Sequence, residues 1–190
     1  MKRIPLLGCG AIAALLVGSF TSDAHALGPI DLEVALQAGA GTNPSNDGPI
    51  NPLGFGIGGR AGVAFFGFYG GIGVMDYLGS SQTLNPPGTG SIKESVHALM
   101  YGLDLGPNFK VAILTIRPLL GLGNFELSTS PGSGNPSYFY LQPGVTALVS
   151  LGLLFVGADA NLLVLPSVAT GTGNQVETAF TLHGQVGLRF

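Results

Sequence analysis

The sequence predicts an all-β fold: an eight-stranded antiparallel transmembrane β-barrel behind a cleaved N-terminal signal peptide. Three observations predict it. The first is composition. Of 190 residues, 46% are hydrophobic and 9% charged, with 32 Gly and 13 Pro. An average soluble domain is about 25% charged, so this chain lacks the charge to clothe a water-facing surface. So much Gly and Pro also argues against long helices. The second is a period-2 alternation of apolar with small or polar residues, repeated in eight segments. The third is the connections, which alternate long and short along the chain, the layout of a bacterial transmembrane barrel. The same composition excludes a disordered polyelectrolyte. A net charge of −3 without a basic cluster excludes the electrostatic footprint of nucleic-acid binding.

Residues 1–26 read as a signal peptide, leaving 27–190 as one barrel domain. Lys2 and Arg3 make a basic start, and Ile4 to Phe20 carries no charge. Ala24 and Ala26 give the small-x-small pattern of a cleavage site. The alternative is a retained membrane anchor. Leu6-Leu7-Gly8-Cys9 looks like a lipoprotein box but follows the basic pair too closely. Removal of 1–26 takes away the single cysteine, which excludes disulfides, cysteine nucleophiles and thiolate metal sites.

Strand one, near 29–40, sets Leu32, Val34, Leu36 and Ala38 against Asp31, Glu33 and Gln37. Strand two, near 55–66, is glycine-rich and carries Arg60. Strand three, near 69–78, is the least regular, because an inward Asp76 turns Ile72 and Val74 inward with it. Strand four, near 92–105, carries His97 close to Ser95, with Leu99 and Tyr101 on the same face. Strand five, near 110–123, holds Arg117 and Pro118, and strand six, near 137–150, holds Pro143 and Gly144. A closed barrel has no edge to hide a missing donor, so the two prolines are expected as cross-strand neighbours in one shared bulge. Strand seven, near 153–165, opposes Leu154, Val156, Ala158, Ala160, Leu162 and Val164 to Gly157, Asp159 and Asn161. Strand eight, near 176–190, opposes Phe180, Leu182, Val186, Leu188 and Phe190 to Glu177, Thr181, His183, Gln185 and Arg189. The long connections are Gly41–Gly54, Gly79–Ser91, Asn124–Pro136 and Pro166–Gln175. The short ones fall at Gly67-Phe68, Gly106-Pro107-Asn108-Phe109 and Leu151-Gly152. The apolar run Val145–Ala158 has 14 residues and two glycines, too short for a spanning helix of about 20.

Phe190 with Leu188, Val186 and Leu182 at alternate positions resembles the C-terminal assembly signal of outer-membrane barrels. Eight strands after a signal peptide resemble the small OmpA/OmpX-type barrels across essentially 27–190. The segment from Phe66 to Gly73 resembles the glycine-aromatic hairpins of that group. The resemblance implies a cell outer-membrane location reached through the periplasm. It implies outer-membrane lipid and the barrel assembly machinery as partners. The peptidoglycan-binding domain of full OmpA-type proteins has no counterpart here, so wall attachment is not implied.

Paired residues must point to one face of the sheet. Reflecting each hairpin about its loop brings Glu33 and Asp76 to Arg60. It brings Arg117 and Asp159 to either side of Gly144, with His183 next to Asp159. Six residues, Glu33, Arg60, Asp76, Arg117, Asp159 and His183, therefore form an expected lumenal charge network. Charges in a membrane protein should face inward and pair, and the Arg fork serves two carboxylates at once. A salt-bridge filling is the first reading of this network; a proton or ion path is the second.

No cofactor or metal is expected. Two histidines after residue 26, His97 and His183, without cysteine or a His-x-x-x-His spacing do not make a transition-metal site. Gly54-Phe55-Gly56-Ile57-Gly58-Gly59 lacks the helix and Lys-Ser/Thr pair of a phosphate loop. Aromatics near the strand ends are expected as two interfacial girdles. They comprise Phe65, Phe66, Phe68, Tyr69, Phe109, Phe155 and Phe190 at one end, and Phe55, Tyr77, Phe125, Tyr138, Phe139 and Tyr140 at the other. The function expected is non-enzymatic: a structural or surface-interaction barrel with no nameable external partner. A narrow pore or carrier for small apolar solutes is the alternative. A lipid-A-modifying enzyme is the third reading and would rest on His97 with a nearby serine.

Overall fold

The computed structural model describes residues 30–44, 50–84, 92–130, 135–170 and 173–190. The expected signal peptide, with Ala24 and Ala26, lies outside the described residues. Ten strands form among them, all paired antiparallel: β1 (Ile30–Gly41), β2 (Gly56–Phe65), β3 (Phe68–Tyr77), β4 (Ser81–Leu84), β5 (Ile92–Pro107), β6 (Phe109–Val111), β7 (Leu114–Ser130), β8 (Ser137–Leu151), β9 (Leu154–Thr170) and β10 (Gly173–Arg189). β1 pairs with β2 on one side and β10 on the other. β5 pairs with both β3 and β7, and this closes the sheet. β4 carries on along β5 past the end of β3, and β6 carries β5 onward along β7. The wall is therefore an eight-stranded closed barrel, which leaves no open edge in lipid.

The alternation explains the wall. Val34, Leu36, Leu103, Leu105, Val145, Val156, Leu182 and Val186 face outward and are exposed, while Glu33, Gln37, Arg117, Asp159 and Gln185 are buried inside. Three glycine-for-aromatic exchanges set the interior volume. A Cβ at Gly62 or Gly71 would lie 2.4 Å from the Tyr69 hydroxyl, and one at Gly187 would lie 2.4 Å from the Phe155 ring. Rings reach across positions left empty for them, as curved sheets require.

Four expectations need correction. The second short reversal is not at Gly106–Phe109. The chain runs on through β6 and turns at Ala112-Ile113, with Ala112 at φ 54°. Pro107 interrupts the ladder instead. The amide of Asn108 then donates to the Gly67 carbonyl at 2.7 Å.

The prolines also pair differently. Pro118 lies opposite Val145, and Pro143 opposite Leu120, in a β7–β8 ladder without a register shift. The β5–β7 and β6–β7 ladders share one register, which sets Pro107 opposite Pro118. Two residues without an N–H share one seam there. Pro143 sits by itself at a gap in the β8–β9 ladder.

The expected loops 124–136 and 166–175 shrink as well, because β7 runs to Ser130, β9 to Thr170, and β10 starts at Gly173. Lastly, near the loop end of β3, β5 and β7 the inner face turns apolar and the outer face polar, with no change in which residues point inward. Tyr77, Ala98 and Phe125 are buried inside, while Asp76, His97 and Glu126 lie on the other face.

Candidate functional site

The lumen gathers most of the polar chemistry of the described residues. Its turn-side floor is built on Glu33 of β1. Arg117 of β7 donates to both carboxylate oxygens of Glu33, each at 2.9 Å. Arg189 of β10 donates to Glu33 Oε1 at 3.0 Å and to Ser150 Oγ at 2.9 Å. The third direction of the Arg117 fork is taken by Asn108, whose Oδ1 accepts from Nε at 3.2 Å. The Arg117 guanidinium lies 3.7 Å from the centre of the Tyr69 ring, and Arg60 approaches the same ring at 5.8 Å. Arg117 has no exposed surface, although it is a charged side chain. A buried charge persists only where every donor is answered, and two carboxylate oxygens, an amide and a ring answer it here.

The middle of the lumen is centred on Asp159 of β9. It accepts from Gln37 Nε2 at 2.7 Å, Gln185 Nε2 at 2.9 Å, Arg60 Nη2 at 3.3 Å and the Thr146 hydroxyl. Arg60 also donates to Gln185 Oε1 at 2.7 Å and lies 3.5 Å from Asp104. His183 Nε2 is 2.7 Å from the Tyr77 hydroxyl. A cavity of about 40 Å³ lies beside these groups, room for ordered water and little else. At the turn-side mouth Lys110 pairs with Asp31. Three arginines thus meet three carboxylates, Glu33, Asp104 and Asp159, so the floor and middle of the lumen are balanced in formal charge.

Five of the six residues expected in the network lie in the lumen: Glu33, Arg60, Arg117, Asp159 and His183. His183 lies opposite Asp159 as expected, but the other partners differ. Glu33 holds Arg117, and Arg60 holds Asp159 and Asp104. Gly144 is opposite Leu119 and Asn161, not between Arg117 and Asp159; Thr146 fills that position. Asp76 does not belong to the lumen. It points outward and meets His97, with 2.8 Å from Nε2 to Oδ1. Once Asp76 is outside, Ile72 and Val74 are outside too, both exposed.

Asp104 and Arg189 are additional members. Leu103 and Leu105 facing lipid would have placed Asp104 inside. Five aromatics expected in the girdles, Tyr69, Tyr77, Phe125, Tyr140 and Phe155, are buried lumen residues instead. Phe55, Phe65, Phe66, Phe68, Phe109 and Phe139 remain exposed.

His97 faces outward with Ser95 on its own strand and Ser128 across the β5–β7 pair. Among the described residues neither serine is hydrogen-bonded to it. Leu182 and Val186 are exposed on the outer face of β10, and Phe190 exchanges backbone hydrogen bonds with Leu32 at 2.9 and 3.0 Å.

No protein-family model matches the chain, and no curated protein does. Solved structures do. Neisserial surface protein A superimposes with a TM-score of 0.58 at 12% identity, covering 85% of this chain and 96% of that one. A major outer membrane protein of Thermus thermophilus gives 0.56 at 13%, covering 85% and 99%. Ail, the attachment invasion locus protein of Yersinia pestis, gives 0.53 at 13%, covering 85% and 97%, and has also been solved with the heparin analogue sucrose octasulfate. At such identities the likeness is one of architecture, and it agrees with the closed antiparallel wall: this chain has the fold of the small OmpA/OmpX-type eight-stranded outer-membrane barrels.

Proposed function

We propose that this protein is a closed, non-conducting barrel of the cell outer membrane with a structural or surface-interaction role, and not an enzyme. The observation that carries the reading is the lumen. Its floor is sealed by the Glu33–Arg117–Arg189 group, and its middle by the Asp159–Arg60 group. Eight strands enclose only enough space for such side chains. A selective ion path needs charge of one sign, whereas these charges cancel.

In this reading residues 1–26 direct secretion, with cleavage after Ala26. The outward residues Leu182, Val186 and Leu188, with the terminal Phe190, present the last strand to the barrel assembly machinery. The turns face the periplasm and the loops the exterior.

The sucrose octasulfate bound by Ail is a polyanion, and such a ligand needs clustered cations. Of the seven Lys and Arg residues, Lys2 and Arg3 lie in the expected signal peptide. Arg60, Lys110, Arg117 and Arg189 lie in the lumen or at its turn side, which leaves Lys93 for the loop side. A loop-side partner of neutral chemistry suits this surface better.

Reconstitution in planar bilayers tests the reading. The expected result is a heat-modifiable, outer-membrane-fractionated protein that gives no conductance steps. Steady single-channel conductance from the folded protein would overturn it.

A further inference from the structure

Above its charged middle the lumen becomes apolar. Met75, Met100, Phe125, Leu163 and Leu165 form one buried cluster with Leu53. Leu53 is the one member of that cluster that no strand carries. It belongs to the β1–β2 connection, yet its side chain has no exposed surface. It is held in place from the loop side. Asn51 Nδ2 donates to the Gly41 carbonyl at 2.8 Å, and the Leu53 amide donates to Asn51 Oδ1 at 2.9 Å. The Asn51 amide donates to Ser80 Oγ at 2.6 Å, and the Gly41 amide to the Leu53 carbonyl at 2.6 Å. Gly41 is bare where Leu53 passes: a Cβ there would lie 2.9 Å from Leu53 Cβ. The cavity of about 40 Å³ lies below, bordered above by Met75, Tyr77, Met100 and Tyr140 and below by polar groups that include Arg60, Asp104, Asp159 and His183.

We propose that the loop-side lumen is a binding chamber for the aliphatic end of a small solute, with Leu53 as its built-in occupant and Asn51 as the latch. The chamber already binds an isobutyl group, so its chemistry is shown by what fills it. Two methionines line it, and their unbranched thioethers adapt to a different apolar shape. The hydrogen bonds of Asn51 and Leu53 fasten the connection and are not rungs of the barrel ladders, so Leu53 can withdraw with the wall intact. The space left by Leu53 would admit an alkyl end of about four carbons, the size of the side chain that fills it, with the polar cavity beneath left to water. Affinity for such a solute is reduced by the fraction of time the latch is open. This inference goes beyond the proposed structural role and survives its failure, because it concerns solute held in the lumen and not passage through it.

The test uses the full chain folded in detergent micelles, with methionine methyls labelled with carbon-13 and n-hexanol as the probe. Beyond Met1 the chain has two methionines, Met75 and Met100, and both line the chamber. Titration should move both methyl signals along a saturating curve. Asn51→Ala, which cuts the latch without touching the chamber wall, should lower the midpoint about tenfold, as expected for a latch shut about nine-tenths of the time. Leu53→Ala should lower it as well. A non-saturating drift, which reports partition into the micelle only, would overturn the proposal. So would a midpoint unchanged in a folded Asn51→Ala barrel, with folding judged by gel mobility.

Discussion

At the scale of single residues the floor of the lumen turns on Glu33. One carboxylate serves two arginines from strands far apart in sequence, and it lets the buried Arg117 keep its charge. Breaking such a pair from one side leaves the other charge stranded, which costs about 3–5 kcal/mol. Arg117→Leu is expected to lower the unfolding free energy by about 3 kcal/mol, because Arg189 still answers Glu33. Urea titration of the barrel in lipid vesicles measures it, and an unchanged midpoint would mean that the floor is not held by charge. Parity alone sets Glu33, Arg60, Arg117, Asp159 and His183 on the inner face, where the structure has them. Parity does not choose partners. Reflection about a loop leaves an error of about two residues, and in a narrow barrel two residues exchange one carboxylate for another. Reflection therefore matches Glu33 with Arg60, where the structure has Arg117. Asp76 departs from expectation for another reason: near the loop end of the wall a carboxylate has water on the outer face and no need of the lumen.

At the scale of elements the strands are legible wherever they alternate apolar with polar, and illegible where the alternation changes sense. Asn124, Glu126 and Ser128 read as loop because they are polar. They are the outer face of a continuing β7 whose Phe125 points inward. Gly106-Pro107-Asn108 has the composition of a turn, but the register of β5 and β6 against β7 runs straight past it. The actual reversal carries no such signal, because Ala112 takes a left-handed φ of 54° without being Gly or Asn. That conformation costs a non-glycine residue about 1–2 kcal/mol. Ala112 is exposed, so nothing is lost by removing its methyl group. Ala112→Gly should therefore raise stability by about 0.5–1 kcal/mol after the entropic cost of glycine. The same vesicle titration reads the gain, and a loss would show that the methyl group is held by a contact in lipid. Phe66, at φ 47° in the β2–β3 turn, is a second such position, but its ring is among the most exposed in the protein and belongs to the apolar rim of that end.

At the scale of the whole molecule the barrel is closed three times: laterally by the β1–β10 ladder, below by salt bridges, and above by Leu53 and its neighbours. Each closure uses a different force, so no single substitution should remove more than one of them.

The change from apolar to polar along the outer face of β3, β5 and β7 has a consequence for how the molecule floats. From Phe68 to Val74 the outer face of β3 is greasy, and at Asp76 it turns hydrophilic. On β5 the step falls between Leu103 and His97, and on β7 between Leu120 and Glu126. These positions trace a waterline. The barrel rides with its three hairpin turns deep and with the loop-end rungs of β5 and β7 standing dry of lipid. Nitroxide labels would read this draught directly. A label at Val74 or Leu103 should be relaxed by dissolved oxygen, and one at Glu126 or Ser128 by a water-soluble nickel chelate. If the label at position 126 proved as shielded from nickel as the label at 103, the hull would sit deeper than its own paint line.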